Sequence, residues 1–432
     1  MPQLHGLLLF FDISVSSDIK KLFVFIFSKT INFSSITEIL PLIFPVYWNF
    51  SYICSMKTFE RILTQTIQPL FFNEKAIIII GARQVGKTTM LQSMKKHTGD
   101  SLWLNADENS VRERLANPSV QSLKNIIRNY KTVIIDEVQR IKNAGLLLKL
   151  MVDNFKDVQF IATGSSALEI SDSIFEPMTG RHFKFHLYPF SLAELYPGKS
   201  PFEIEQELHF HLVFGNYPEI CIKRDLSEII LKNLSDQYLF KDVLVWKDIR
   251  KPELLDKLLK LLAYQMCSEV SVNELANQLR VKSETVENYI DLLEKSFVVY
   301  RLKSYGSNPR KEVSKMSKIF FWDNGIRNAV IEDFSDLSSR NDQGQLFENF
   351  MISERMKMNT WLNPSVKSFF WRNYNKNEVD YVEYGNGQLT AYEMKWNTRK
   401  KYKVTKAFTN LYPNAQTTII DPENFVGFIN IH

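Results

Sequence analysis

KAIIIIGARQVGKTTML, residues 75–91, decides the fold of this chain. Ala76 to Ile80 form an unbroken apolar run with no alternation, as a strand buried on both faces of a parallel sheet requires. Gly81-x-x-x-x-Gly86-Lys87-Thr88 then opens a helical stretch. A loop of this spacing wraps its backbone N–H groups around phosphates, and only glycine lets the backbone approach closely enough. The motif predicts ATP bound by Gly81, Ala82, Arg83, Gln84, Val85, Gly86, Lys87, Thr88 and Thr89. Lys87 would reach the β and γ phosphates as a catalytic cation, and the Thr88 hydroxyl would hold Mg²⁺. A chance glycine turn would not come with the strand before it and the helix after it.

Outward from this loop, KTVIIDEVQR (131–140) is an apolar strand ending in Asp136 and Glu137. A phosphoryl-transfer site needs one carboxylate for Mg²⁺, here Asp136, and one to orient or deprotonate the attacking water, here Glu137. VQFIATGSS (158–166) is another buried strand, and Thr163, Ser165 and Ser166 at its end supply hydroxyls for sensing the γ-phosphate or for capping a helix. Strands over roughly 75–81, 101–106, 132–137, 158–163 and 184–189 alternate with helical stretches, which predicts an α/β fold with a doubly wound parallel sheet. Its nucleotide belongs at the C-terminal strand ends.

With GARQVGKTT, DEVQ, TGSS and Thr179-Gly180-Arg181 followed by Pro189-Phe190-Ser191, residues 57–432 resemble a prokaryotic family of AAA+ P-loop ATPases whose members carry a C-terminal domain of uncharacterised function. The resemblance implies Mg²⁺-dependent ATP hydrolysis and self-association as a ring or a transient oligomer. Arg181 becomes a candidate for the arginine that stabilises charge on the transferred phosphoryl, in its own subunit or a neighbour's. Arg83 and Arg140 compete for that role, and a surface arginine without a catalytic part is the plainer alternative for each.

At 432 residues, 45% of them hydrophobic, the chain can hold two or three cores. A net charge of +5 permits nucleic-acid binding without arguing for it. Cys54, Cys221 and Cys267 lie far apart, so neither a disulfide framework nor a zinc site is expected and the cytoplasm is the natural setting. Residues 1–55 contain GLLLFF, LFVFIF and LPLIFPVYWNF, each too short for a spanning helix, so no stable membrane association is expected. Met56 is the expected true start, with 1–55 a mis-translated or disordered leader and a hydrophobic anchor as the alternative; intact mass of the native protein distinguishes the two.

A helical lid or linker is expected over 201–266, where Leu254, Leu255, Leu258, Leu259, Leu261 and Leu262 form an apolar face. Over 267–320, two short helices around Leu275 and Leu279 and around Val286 and Ile290 precede Val298-Val299-Tyr300, the pattern of a winged helix-turn-helix. Its second helix would offer Lys282, Ser283, Glu284, Glu287 and Asn288 to a DNA groove. The glutamates oppose that, while Lys303, Arg310, Lys311, Lys315 and Lys318 would follow a phosphate backbone. Packing against protein is the alternative.

EVDYVEYGNGQLTAYEMKW (378–396) reads as a hairpin turned at Asn386-Gly387, because a type I′ turn needs positive φ at both centres. That register sets Asp380 opposite Glu393 and Glu378 opposite Lys395, with Val379, Tyr381, Tyr392 and Met394 on the other face. Two carboxylates so placed repel by up to roughly 3 kcal/mol, and a shared divalent cation would reverse the sign. Alternatively the acids pair with Lys395 and Arg372 on a solvated hairpin. Together with Glu348 on an upstream amphipathic helix, the set is similar to the PD-(D/E)xK nucleases. That resemblance implies that Asp380 and Glu393 hold Mg²⁺, that Lys395 positions or activates water, and that Glu348 assists. The expectation is therefore an ATPase core (56–200) with the lid, winged helix and a nuclease-like α/β domain (321–432), acting on DNA. The rival is a nucleotide-switched scaffold that binds a protein partner and carries an inactive nuclease-like domain.

Overall fold

The computed structural model describes residues 59–94, 99–165, 175–244, 252–306, 317–399 and 402–429, without the side chains of 236–244. Contacts divide the chain into Met1–Thr58 and Phe59–His432. The first unit, and with it the expectation about Met56, lies outside the described residues.

Strands β1 (Ala76–Ile80), β2 (Ser101–Asn105), β3 (Thr132–Asp136), β4 (Gln159–Gly164) and β5 (His182–His186) form one parallel sheet in the order β2-β3-β4-β1-β5. Every residue of β1 is buried, as its unbroken run predicts. The last strand begins two residues before the expected 184, because His182 already pairs with Ala76. Helix α1 (Ile62–Ile67) precedes this sheet, and α2 (Lys87–Ser93) leaves the loop after β1. Since β1 lies between β4 and β5, and β4 between β1 and β3, the ends of β1, β3 and β4 emerge side by side.

Helix α3 (Pro201–Phe214) follows, and α4 (Pro252–Tyr264) buries Leu255, Leu258, Leu259 and Leu262. Next come β6 (Glu269–Val270), α5 (Val272–Leu279), α6 (Ser283–Lys295), β7 (Val299–Lys303) and β8 (Ser317–Phe321), the strands forming an antiparallel sheet β6-β8-β7. Ser271 caps α5 by accepting the Glu274 N–H at 3.3 Å, and Arg280 ends it in the left-handed region at φ 56°. Of the expected phosphate-tracking residues, Lys318 is only 2% exposed and cannot serve, while Arg310, Lys311 and Lys315 lie outside the described residues.

Helix α7 (Asn324–Val330) leads to α8 (Gln343–Leu362), which packs beside a third sheet of β9 (Lys367–Arg372), β10 (Glu378–Gly385), β11 (Gln388–Met394) and β12 (Gln416–Ile420). The hairpin register follows the turn: Gly385 pairs with Gln388 and Tyr381 with Tyr392, with φ 52° at Asn386 and 77° at Gly387. The face assignment needs correction. The β9 pairing shifts between Val379 and Val382, a bulge at the point where the adjacent apolar residues Tyr381 and Val382 break the alternation. Val379 and Val382 therefore share one core with Trp371 and Phe408, whereas Tyr381 enters the main core.

Buried contacts tie α8 to the first sheet. Trp361 Nε1 donates to the His186 carbonyl (2.8 Å), Lys357 Nζ to the Phe190 carbonyl (3.0 Å) and to Glu354 (2.7 Å), and the Leu192 N–H to Glu354 (2.7 Å). Tyr188 stacks on Trp322 at 4.1 Å.

His211 on α3 is wholly buried, with Nε2 at 2.7 Å from the Tyr196 hydroxyl. Burial, helped by the nearby Arg224 charge, lowers its pKa to about 4. Below its unfolded value near 6.5 the unfolded chain takes up a proton that the folded imidazole refuses until about pH 4, so this contribution is lost as pH falls across that window. The cost is roughly 2 kcal/mol at pH 5. The drop in chemical-denaturation stability between pH 7 and pH 5 should therefore be smaller by about that amount in His211→Gln than in the wild type. Equal drops would contradict the assignment.

Candidate functional site

A Cβ on Gly81 would lie 2.1 Å from the Leu187 carbonyl oxygen, so no side chain fits there. Gly86 has φ 90°, a conformation that favours glycine. Lys87 is buried, and its Nζ donates to the carbonyls of Gly81 (3.0 Å) and Ala82 (2.8 Å), which places the ammonium in the hollow of the loop. Ala82 and Val85 are buried beneath the loop, whereas Gln84, Thr88 and Thr89 are exposed on it and Arg83 is half-buried.

The carboxylates expected from sequence reach this loop. Thr88 Oγ1 donates to Asp136 Oδ2 at 2.8 Å, and Thr163 Oγ1 makes a short bond to Asp136 Oδ1. Hydroxyl and carboxylate oxygens so placed suit Mg²⁺, which takes one or two carboxylates and completes its shell from phosphates and water. Glu137 adopts the left-handed region at φ 55°, and its N–H donates to Thr163 Oγ1 at 3.1 Å. Its carboxylate accepts from Gln139 Nε2 (2.6 Å) and Ser165 Oγ (3.0 Å). Among the described residues Gln139 Oε1 has no hydrogen-bond partner. Ser166 lies outside the described residues.

Arg181 is not brought to this site. The Ala76 N–H donates to its carbonyl at 2.9 Å, so it stands at the start of β1 while the loop follows the end. Five strand residues separate the two by about 15 Å. The Arg181 guanidinium pairs with Asp153 at 2.7 Å instead, which corrects the expectation that it serves its own subunit. Arg140 is on the loop's side of the sheet, 3.4 Å from Asp107 and half exposed. Sequence reasoning missed Arg61. It lies 3% exposed behind the loop and bonds the Val85 carbonyl at 2.8 Å.

A second cluster forms at the far half of the chain. Lys395 Nζ bridges Glu393 (2.8 Å) and Asp380 (3.2 Å), and the Met394 N–H donates to Asp380 Oδ2 at 2.8 Å. Glu348 on α8 meets Lys318 at 3.3 Å, and Lys318 also meets Glu378 at 2.5 Å. Glu378, expected opposite Lys395 in the register, pairs with Lys318 and, at 3.7 Å, with Arg372, which the solvated-hairpin alternative names as a partner for these acids. Lys318 comes from β8, so this cluster draws on two parts of the chain, which no local pattern reveals. Asp380 and Glu393 are 9% and 8% exposed, which excludes a solvated hairpin. Burial and the Asp380 charge push Glu393 up to about 7. Burial pushes Glu348 up to about 8 although Lys318 opposes it. Burial also works against a charged Lys395, yet Asp380 and Glu393 outweigh it and raise its pKa. Among the described residues no group of three or more His, Cys, Asp or Glu is arranged to hold a metal ion.

Residues 73–196 match the family model of an AAA domain, and that segment contains the whole loop with Asp136, Glu137, Thr163 and Ser165. This part of the chain is a P-loop nucleotide-binding ATPase core. Residues 205–338 and 343–427 match two domains of unknown function. Among whole proteins, the chain is similar to an uncharacterized protein of Methanocaldococcus jannaschii, 26% identical over 375 residues that cover 81% of each chain. It is also similar to an uncharacterized protein of Haemophilus influenzae, 24% identical over 46% of this chain and 52% of that one. Of solved structures, the Walker-type ATPase of Pyrococcus abyssi overlays at a TM-score of 0.38 with 14% identity, over 64% of this chain and 97% of that one. The Pif1 helicase of Candida albicans overlays at 0.23 with 14% identity, over 42% and 48%. Both scores are too low to bear on function. Among the described residues no helix is long and apolar enough to cross a membrane.

Proposed function

We propose that the chain is a Mg²⁺-dependent ATPase whose C-terminal half acts on DNA through a nuclease-like site. The convergence of Lys87, Thr88, Asp136, Glu137 and Thr163 on one loop end carries the ATPase part. Thr88 and Asp136 would hold Mg²⁺, which when bound offsets charge on the β and γ phosphates. Lys87 would move from its two carbonyls to phosphate oxygens, exchanging neutral acceptors for charged ones. Glu137, held by Ser165 and Gln139, would orient the attacking water and take its proton. Gln139 Oε1, without a partner among the described residues, would accept from that water. Arg181 would act only from a neighbouring subunit.

For the C-terminal half we read 201–266 as lid, 267–320 as a winged helix and 321–432 as a PD-(D/E)xK-like domain. The order α4, β6, α5, α6, β7, β8 supports the second of these, and the gathering of Glu348, Asp380, Glu393 and Lys395 supports the third. Asp380 and Glu393 would hold the metal, with Lys395 swung aside onto water or the scissile phosphate. Incubation with plasmid and single-stranded DNA in Mg²⁺ or Mn²⁺ should give cleavage that Asp380→Ala lowers ~100-fold or more. Cleavage that survives the substitution, or none in the wild type, sinks the nuclease role.

A second reading, the nucleotide-switched scaffold, is favoured by specific contacts. Lys318 and Lys395 already pair with the four acids of the cluster, Glu348, Glu378, Asp380 and Glu393, and occupy oxygens a metal would need. The presented helix α6 is acidic as well, with Glu287, Asp291 and Glu294 gathered on Arg301. An intact ATPase with no cleavage in the assay above would favour it.

A further inference from the structure

Arg61 stands at the entrance of α1, far in sequence from anything with a chemical role, yet it carries a dense set of contacts. Its Nη1 donates to the Val85 carbonyl (2.8 Å), its Nη2 to the Tyr188 carbonyl (2.6 Å) and its Nε to Glu194 (2.9 Å). The guanidinium carbon lies 4.7 Å from the centroid of the Phe190 ring. Glu194 is in turn fixed by the N–H groups of Ile62 (3.0 Å) and Ser191 (2.9 Å). Three acceptors arranged around one planar fork suit arginine and not lysine.

Val85 immediately precedes Gly86 and Lys87 in the phosphate loop. In a planar trans peptide the C=O and the following N–H point to opposite sides. Holding the Val85 oxygen back against Arg61 therefore turns the Gly86 N–H forward, into the hollow where Lys87 sits. Gly86 adopts φ 90°, and a Cβ there would lie 3.8 Å from Arg61 Nη1, so the guanidinium is directly behind that peptide. Backbone N–H groups in this hollow are what a phosphate-binding loop offers its anion. Left unpinned, the peptide is free to rotate, and binding would bear the cost of ordering it.

We propose that Arg61 is a positioning residue for the polyphosphate: it touches no nucleotide, but it presets the Gly86 N–H before the anion arrives. The inference rests on the P-loop reading above. The guanidinium is largely cancelled by Glu194, so its effect is geometric and not a long-range attraction.

The test compares the full-length wild type with Arg61→Lys, measuring calorimetric affinity for MgATP and for inorganic tripolyphosphate, with thermal melting as a check on folding. If the wild type binds neither ligand, the P-loop reading itself fails and this inference falls with it. With a wild type that binds, a folded Arg61→Lys is expected to lose about tenfold in affinity for both ligands, as the loss of one charge-assisted hydrogen bond implies. Equal losses place the defect at the phosphate loop and not at the base. A folded variant within twofold of the wild type for both ligands overturns the proposal. Should Arg61→Lys not fold, Glu194→Gln takes its place, since it loosens the guanidinium while leaving the packing. Several-fold weaker tripolyphosphate binding then supports the proposal, and unchanged binding overturns it.

Discussion

Lys87→Ala should abolish measurable ATP binding, lowering affinity about 1000-fold. The ammonium sits buried in the loop and donates to the carbonyls of Gly81 and Ala82, so on meeting phosphate oxygens it would exchange neutral acceptors for charged ones. Two charge-assisted bonds at about 2 kcal/mol each account for the factor. Alanine at 87 keeps a good helix former in the first turn of α2, so the fold should persist. Calorimetric titration with MgATP reads the loss directly. Binding within tenfold of the wild type would show that the loop does not hold the polyphosphate as assigned.

Glu137→Gln should separate binding from turnover. ATP affinity is expected to stay within a few-fold, while kcat falls about 100- to 10,000-fold, the usual span for removing a general base. Glutamine keeps the size of the side chain and can still meet Ser165 and Gln139, so the loop around φ 55° at residue 137 should survive. What it loses is the capacity to take a proton. Phosphate release under saturating MgATP measures the drop, and the variant should accumulate with ATP bound. Unchanged turnover would move the base elsewhere, with Asp136 excluded by its bonds to Thr88 and Thr163.

The two halves of the chain were unequally legible in the sequence. The phosphate loop could be read because its glycines are demanded by the backbone itself: Gly81 by the 2.1 Å approach of the Leu187 carbonyl, Gly86 by its positive φ. The hairpin register could be read for the same reason, since Asn386-Gly387 allows few alternatives. Arg61 could not, because the partners that give it meaning, Val85, Tyr188 and Glu194, are remote in the chain and two of them contribute only carbonyl oxygens. Lys318 looked like one more surface lysine in a basic stretch; only the pairing of β8 with its neighbours turns it inward to Glu348 and Glu378. Arg181 is the arginine of a recognisable Thr-Gly-Arg, but a motif does not tell which end of the sheet it will stand at. The adjacent apolar residues Tyr381 and Val382 break the alternation of the strand, and the bulge between Val379 and Val382 falls there, which is why a strict period of two misassigns the faces.

Helix α8 carries Glu348 into one site and, six residues on, Glu354 into the contacts beneath the other. A chain that exchanged its C-terminal half for an unrelated one would leave the Leu192 N–H, the carbonyls of His186 and Phe190 and one face of Tyr188 without their partners. Each bare polar group would cost about 1–3 kcal/mol if it stayed buried. Segments that sequence comparison draws as separate are thus tied by heredity: a change in the ATPase turn at Phe190 must be answered on α8, and lineages can be expected to keep or lose the pair together.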